Sequence, residues 1–334
     1  MHQELKTHLS AAEVGALWTQ YTDATMTACM LKYFLAKNED KDIGQVVEYL
    51  QQVTQTKIQR IRKILQSDNY PVPIGFGDND VNSEAPRLYS DSFALAFIRN
   101  ITRLSLTTYG LALSTCARQD VRQHYHQCLA DVAQVDEKAV NAEQAKGLYM
   151  RAPCISAPEK PEFIQDSDYL GTLFGSKRPL SAIEIANIFV GIEKGIFSKA
   201  LLMGFAQVAA AKELREFFLR GKQIAHKHAD ILGDLLTRND MPAPASPDSY
   251  VTNSIVAPFS DRLMLQYTIL STQASFAYYG TALALVTRSD IFGSYVRLMT
   301  EGSQYLEDAN MLMIRHKWLE QPPLAEDRRA LVRR

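Results

Sequence analysis

LSAAEV, from Leu9 to Val14, and LSAIEI, from Leu180 to Ile185, decide the fold. In each, a Ser stands three residues before a Glu, just ahead of an apolar run. That spacing is a capping box. The Ser hydroxyl accepts from a free N–H of the first helical turn, and the Glu carboxylate reaches back to the Ser N–H. The chain therefore starts the same helix twice. Beyond the two boxes the likeness continues. At an offset of 171, Pro71 and Pro73 fall on Pro242 and Pro244. After the loss of one residue the offset is 170, and Ser90-Asp91 falls on Ser260-Asp261, Tyr109-Gly110 on Tyr279-Gly280, Arg118 on Arg288, Tyr125 on Tyr295 and Pro153 on Pro323. One gap over such a span is an internal duplication, and its long period implies two domains rather than a solenoid of short units.

Composition agrees. A chain of 334 residues, 46% of them hydrophobic, has material for two cores. A net charge of −1 gives no reason to expect nucleic acid or an anionic membrane as partner. Cys29, Cys116, Cys128 and Cys154 all lie in the first copy, without metal-ligand spacing, so disulfides do not hold the fold and reduced thiols are expected. With a polar Met1–His8 in place of a signal peptide, this reads as a cytoplasmic protein. The uncharged run from Leu263 to Thr287 is long enough for a membrane span, but its many Ser, Thr and Gln residues read as a bundle helix.

The periodicity predicts four helices per copy. They run from about Ala11 to Lys37, Asp42 to before Tyr70, Asp91 to near Cys116 and Asp120 to about Tyr149. They repeat over Ala182–Ala210, Lys212–Thr237, Ser260–Thr287 and Ser289–Trp318. The long Pro-containing segments that follow the second helix of each copy suit a bundle whose second and third helices run the same way. The expected architecture is all-α: two tandem ferritin-like four-helix bundles, up-down-down-up. Residues 1–151 form the first bundle, 152–179 a semi-rigid Pro-rich linker, and 180–334 the second bundle with a charged, mobile tail. The two bundles are expected to pack on each other.

LSAAEV, NYPVPIGF, PRLYSD, YGLAL, KRPLSAIEI, APFSD and WLEQPP together resemble a tandem ferritin-like family known as domain of unknown function 3231, found mainly in spore-forming bacilli. The resemblance covers nearly the whole chain. It implies the two bundles and no particular activity; some members carry a spore-coat-like label.

Ferritin-like carboxylate proteins hold two metal ions with one Glu on each of two helices and Glu-x-x-His on each of the others. No Glu-x-x-His falls on a predicted helix here, and the third helices carry no carboxylate between Asp91 and Asp120 or between Asp261 and Asp290. A complete di-iron site is not expected. A reduced one is conceivable in the second copy. His228 shares a stripe with Phe218, Gly221, Ala225, Leu232 and Leu235. Glu301 and Asp308 fall with Leu298, Tyr305 and Leu312, and Glu193 with Phe189 and Ile196. His228, Glu301, Asp308 and Glu193 converging would suit one iron, manganese or zinc ion. The plain alternative is a core histidine hydrogen-bonded to Glu301 or a tyrosine. In the first copy Lys57, Asp131 and Lys138 replace His228, Glu301 and Asp308, which reads as an ion pair in an old metal cavity and places any metal in the second bundle. Of His124 and His126, only one can face the core.

Three functions follow as expectations. The first is a non-enzymatic structural or interaction role linked to sporulation, with a homo-oligomer or protein partner left open. The second is metal binding or metal-dependent oxidation in the second bundle. The third is a carrier of an apolar ligand in the small-residue interior beside Gly280 and Ala284. Neither a phosphate loop nor a nucleophile–base motif is present to favour an enzyme of another kind.

Overall fold

Both capping boxes form. The Ser10 amide donates to Glu13 Oε2 at 2.8 Å and the Ser181 amide to Glu184 Oε2 at 2.9 Å. They open α1 (Ala11–Lys37) and α5 (Ala182–Val208) in a computed structural model that describes residues 7–171, 177–245 and 249–332. The first bundle continues with α2 (Lys41–Ser67), α3 (Asp91–Thr115) and α4 (Gln119–Ala145). The second has α6 (Lys212–Thr237), α7 (Asp261–Leu285) and α8 (Ser289–Arg315). Between α4 and α5 the described residues carry one 3-10 turn, Ser167–Leu170. The charged tail, expected to be mobile, carries a short helix α9 (Arg328–Val332).

Hydrogen bonds at the helix ends fix the topology. The Leu9 amide, before α1, donates to Asp68 at the end of α2 at 2.7 Å, so α1 and α2 are antiparallel. Asp91, opening α3, accepts from the Glu39 and Asp40 amides at the start of α2, so α2 and α3 run the same way. The free oxygen of Glu13 accepts from the Ala117 and Arg118 amides between α3 and α4. One carboxylate thus caps α1 and pins the far end of the bundle. The second bundle repeats the last two sets: Asp261 accepts from Ala210 and Ala211, and Glu184 from Arg288. Each bundle is therefore up-down-down-up with a long crossover.

The two crossovers meet. Val81 bridges to Phe259 and Tyr89 to Val251, both antiparallel. The Asn82 amide donates to Pro258 at 2.8 Å and that of Thr252 to Leu88 at 2.9 Å. The Ser90 amide donates to Tyr250 and that of Ser260 to Asp80, each at 3.0 Å. At the offset of 170, every one of these bonds maps onto another of the set. That reciprocity marks an isologous interface, the pattern of a two-fold dimer, inside one chain.

The core follows the same axis. Phe93 stacks on Phe197 at 5.2 Å, and Tyr33 meets Phe259 edge-on. Met26, Phe34, Phe205 and Met264 are buried in one apolar cluster that spans both bundles. Two smaller clusters fill the outer end of each bundle. A Cβ at Gly204 would overlap the Tyr89 hydroxyl, which donates to Leu201 at 2.7 Å, so close helix–crossover approach requires glycine there. Among the described residues no helix is long and apolar enough to cross a membrane, and all four cysteines are free.

Candidate functional site

The α6 stripe is buried as expected, with His228 6% exposed. Its Nδ1 lies 3.2 Å from the Tyr279 hydroxyl of α7 and its Nε2 3.2 Å from Glu301 Oε2 of α8. The other Glu301 oxygen accepts from Lys227 at 2.8 Å. Burial pulls the His228 pKa below its ordinary value, only partly opposed by Glu301, so a neutral imidazole is favoured. Burial works against the Glu301 anion, but hydrogen bonds from Lys227 and His228 outweigh it and lower its pKa.

The other two expected ligands are elsewhere. Asp308 is exposed and pairs with Arg220 at 2.6 Å. Glu193 turns away from its own bundle and pairs with Arg103 of α3 at 2.8 Å. The expected four-residue convergence is thus corrected to the pair His228–Glu301. The cause is helix register. Leu298, Tyr305 and Leu312 are buried, but the small residues Gly302 and Ala309 complete their stripe, not Glu301 and Asp308. Among the described residues no group of three or more His, Cys, Asp or Glu side chains could hold a metal ion. One imidazole and one carboxylate already engaged by an ammonium are a poor match to the three or four donors of a protein-held divalent ion.

In the first bundle Lys57 does not pair with Asp131. It donates to the Tyr109 hydroxyl at 2.8 Å, while Asp131 faces Arg60 at 3.7 Å and accepts from Gln127. Lys138 lies over the Tyr49 ring. The expected buried ion pair is corrected to a lysine–tyrosine hydrogen bond. Burial depresses the Lys57 pKa, yet Tyr109, Cys128 and Asp131 together raise it above the ordinary value. Of the HYH histidines, His124 is the core one. It is bonded to Gln20 at 2.8 Å, and burial drives its pKa down to about 4.

Two interior charges escape the stripe analysis of α1 and α5. Asp23 and Lys194 are counterparts at the offset of 171, with opposite charge. Burial raises the Asp23 pKa to about 7, against the pull of Lys57, and lowers that of Lys194 to about 7. Lys194 donates to Ser271 at 2.8 Å. The readable signal was a pair of opposite charges at matching positions of the repeat. The space expected beside Gly280 and Ala284 is also elsewhere. A Cβ on Gly280 meets nothing within 4 Å and Ala284 is exposed, so both face outward. The space beside His228 and Tyr279 is only about 50 Å³; a groove of about 870 Å³ lies instead between α5, α6 and the crossover of the second bundle, and a cavity of about 560 Å³ opens along α1 and α3 of the first.

Comparison with known proteins bears on the duplication. The family described as "Protein of unknown function (DUF3231)" matches residues 2–160 and again 169–331. No curated protein matches the chain. A crystal structure described as a "putative spore coat protein" from Bacillus halodurans C-125 is 20% identical, with a TM-score of 0.42. The match covers 45% of this chain and 98% of that one.

Proposed function

The chain belongs to the DUF3231 family of proteins of unknown function, whose unit it carries twice, and on that premise we propose that it is a non-enzymatic helical protein with a structural or interaction role. It acts as two bundles, residues 1–151 and 180–334, joined by 152–179. One observation supports the reading above others. The groups that stand where ferritin-like metal ligands would are spent on holding helices together: Lys57 on Tyr109, and His228 on Tyr279 and Glu301. Glu193 and Asp308 are likewise committed to arginines. The sporulation setting rests on the family's occurrence in spore-forming bacilli.

The test is metal content. Protein prepared in the presence of iron, manganese and zinc should carry far less than one ion per chain, and its thermal midpoint should not move when these metals are added. A stoichiometric ion that disappears in His228→Leu would overturn the structural reading for the second bundle. It would favour a metal held by His228 and Glu301 after displacement of Lys227.

A further inference from the structure

The 560 Å³ cavity lies between α1 and α3 of the first bundle and α7 of the second. Its size is that of a small-molecule site. Small residues of α1 and α3, among them Gly15, Ala16 and Ala112, form much of its wall, and Leu111 lines it while 67% exposed, which marks its opening to the surface. Among the polar groups that line it are Asp23, Lys57 and Tyr125, beside Gln20, Ser105 and Tyr109. Tyr125 is 1% exposed, and its hydroxyl has no hydrogen-bond partner. Asp23 makes no hydrogen bond to the described residues, and the charge that favours its ionised form is Lys57. A buried hydroxyl and a sheltered carboxylate without partners are costly unless something else completes them.

The hollow is specific to this copy. At the offset of 170, Thr108 corresponds to Tyr278, and Gln273 to Arg103. In the second bundle these places are filled, by the Tyr278 ring and by Arg103 reaching across to Glu193 at 2.8 Å. In the first bundle Thr108 and Gln273 are too short to do the same, and both line the cavity.

We propose that this cavity binds an uncharged amphiphile, its apolar body against the small-residue wall of α1 and α3 and its hydroxyl head between Asp23 and Tyr125. A hydroxyl matches both partners, since it donates its one proton to the carboxylate while accepting from the phenol. Charge selects the neutral head. Lys57 and Asp23 already offset one another, so an ammonium or carboxylate head would add an uncompensated charge in a low-dielectric pocket.

Titration calorimetry of the full chain with three ten-carbon probes, 1-decanol, decanoate and decylamine, tests this. Decanol should bind one per chain, with both charged probes weaker by roughly tenfold or more. Thr108→Tyr places in the first bundle the residue the second one holds and should abolish binding. Gln273→Arg, made separately, is the second filling variant should the first fail to fold. Tyr125→Phe should weaken decanol by roughly tenfold. Circular dichroism confirms wild-type helicity for each variant. Absence of decanol binding, undiminished binding by a folded filling variant, equal or tighter binding of a charged probe, or an unaffected Tyr125→Phe would each overturn the proposal.

Discussion

Phe97 of α3 stacks on Tyr267 of α7 with ring centroids 5.4 Å apart, and the two are one position of the repeat seen twice. A residue that meets its own counterpart lies on the axis relating the copies. Both rings are buried, at 0% and 2% exposure. Phe97→Ala should therefore cost about 3–5 kcal/mol, measured by urea unfolding. Because the ring sits in the cluster common to both bundles, the loss should be larger than for Val132→Ala, which lies in the outer cluster of the first.

Glu184 should matter more than Glu13. Burial opposes ionisation of Glu184, but hydrogen bonds from Arg178, Ser181 and Arg288 outweigh it and hold the carboxyl at about 2, against 4.5. Glu13 lacks a guanidinium partner of this kind and is lowered by amide and hydroxyl bonds. A depressed folded pKa contributes stability that is complete above the unfolded value and is lost as pH falls through the folded one. Glu184→Gln should cost about 3 kcal/mol at pH 7 and more than Glu13→Gln. Its penalty should fade between about pH 4.5 and 2 in acid-unfolding curves.

Lys194 works against the fold. Its pKa is lowered by burial to about 7, from 10.5. Between those values the unfolded chain holds the proton that the folded chain releases, so stability rises with pH; below about 7 the full cost of the buried charge remains. Lys194→Met should stabilise the protein at pH 6 by something on the order of 1–4 kcal/mol, with the gain shrinking towards pH 10. Thermal midpoints across that range check the sign.

His228, its pKa lowered by burial, gives a third slope. Folded His228 takes up a proton less readily than the unfolded side chain at its ordinary 6.5, so stability falls as pH drops through that value. His228→Leu should flatten the fall below pH 6.5 while costing about 1–2 kcal/mol at pH 8 for the Tyr279 hydroxyl left behind.

The helices were legible because their starts are chemical. Ser10, Ser90, Ser181 and Ser260 are all N-caps whose side chains accept from the third residue of their helix. The pairing of the crossovers was not, since it is made by backbone amides and carbonyls that leave no mark in side-chain spacing. The ligand set misled for two reasons. On α8, Leu298, Tyr305 and Leu312 fit two registers, and the true one runs through Gly302 and Ala309, too small to advertise a core. On α5, Glu193 does point inward, but a bundle packed on a second bundle has two inward directions. Periodicity cannot tell them apart. Asp23 and Lys194 became visible only when the copies were laid over one another and the charges disagreed.

Tethering the copies has a consequence for how they can change. In a true homodimer any substitution appears on both sides of the axis at once, so every residue there must suit its own twin. Here position 103 can be arginine while 273 is glutamine, and 108 threonine while 278 is tyrosine. The interface keeps its mirrored backbone bonds, yet each half answers to different side chains. The covalent link, by holding the halves at high effective concentration, leaves one and the same place free to be filled in one copy and hollow in the other.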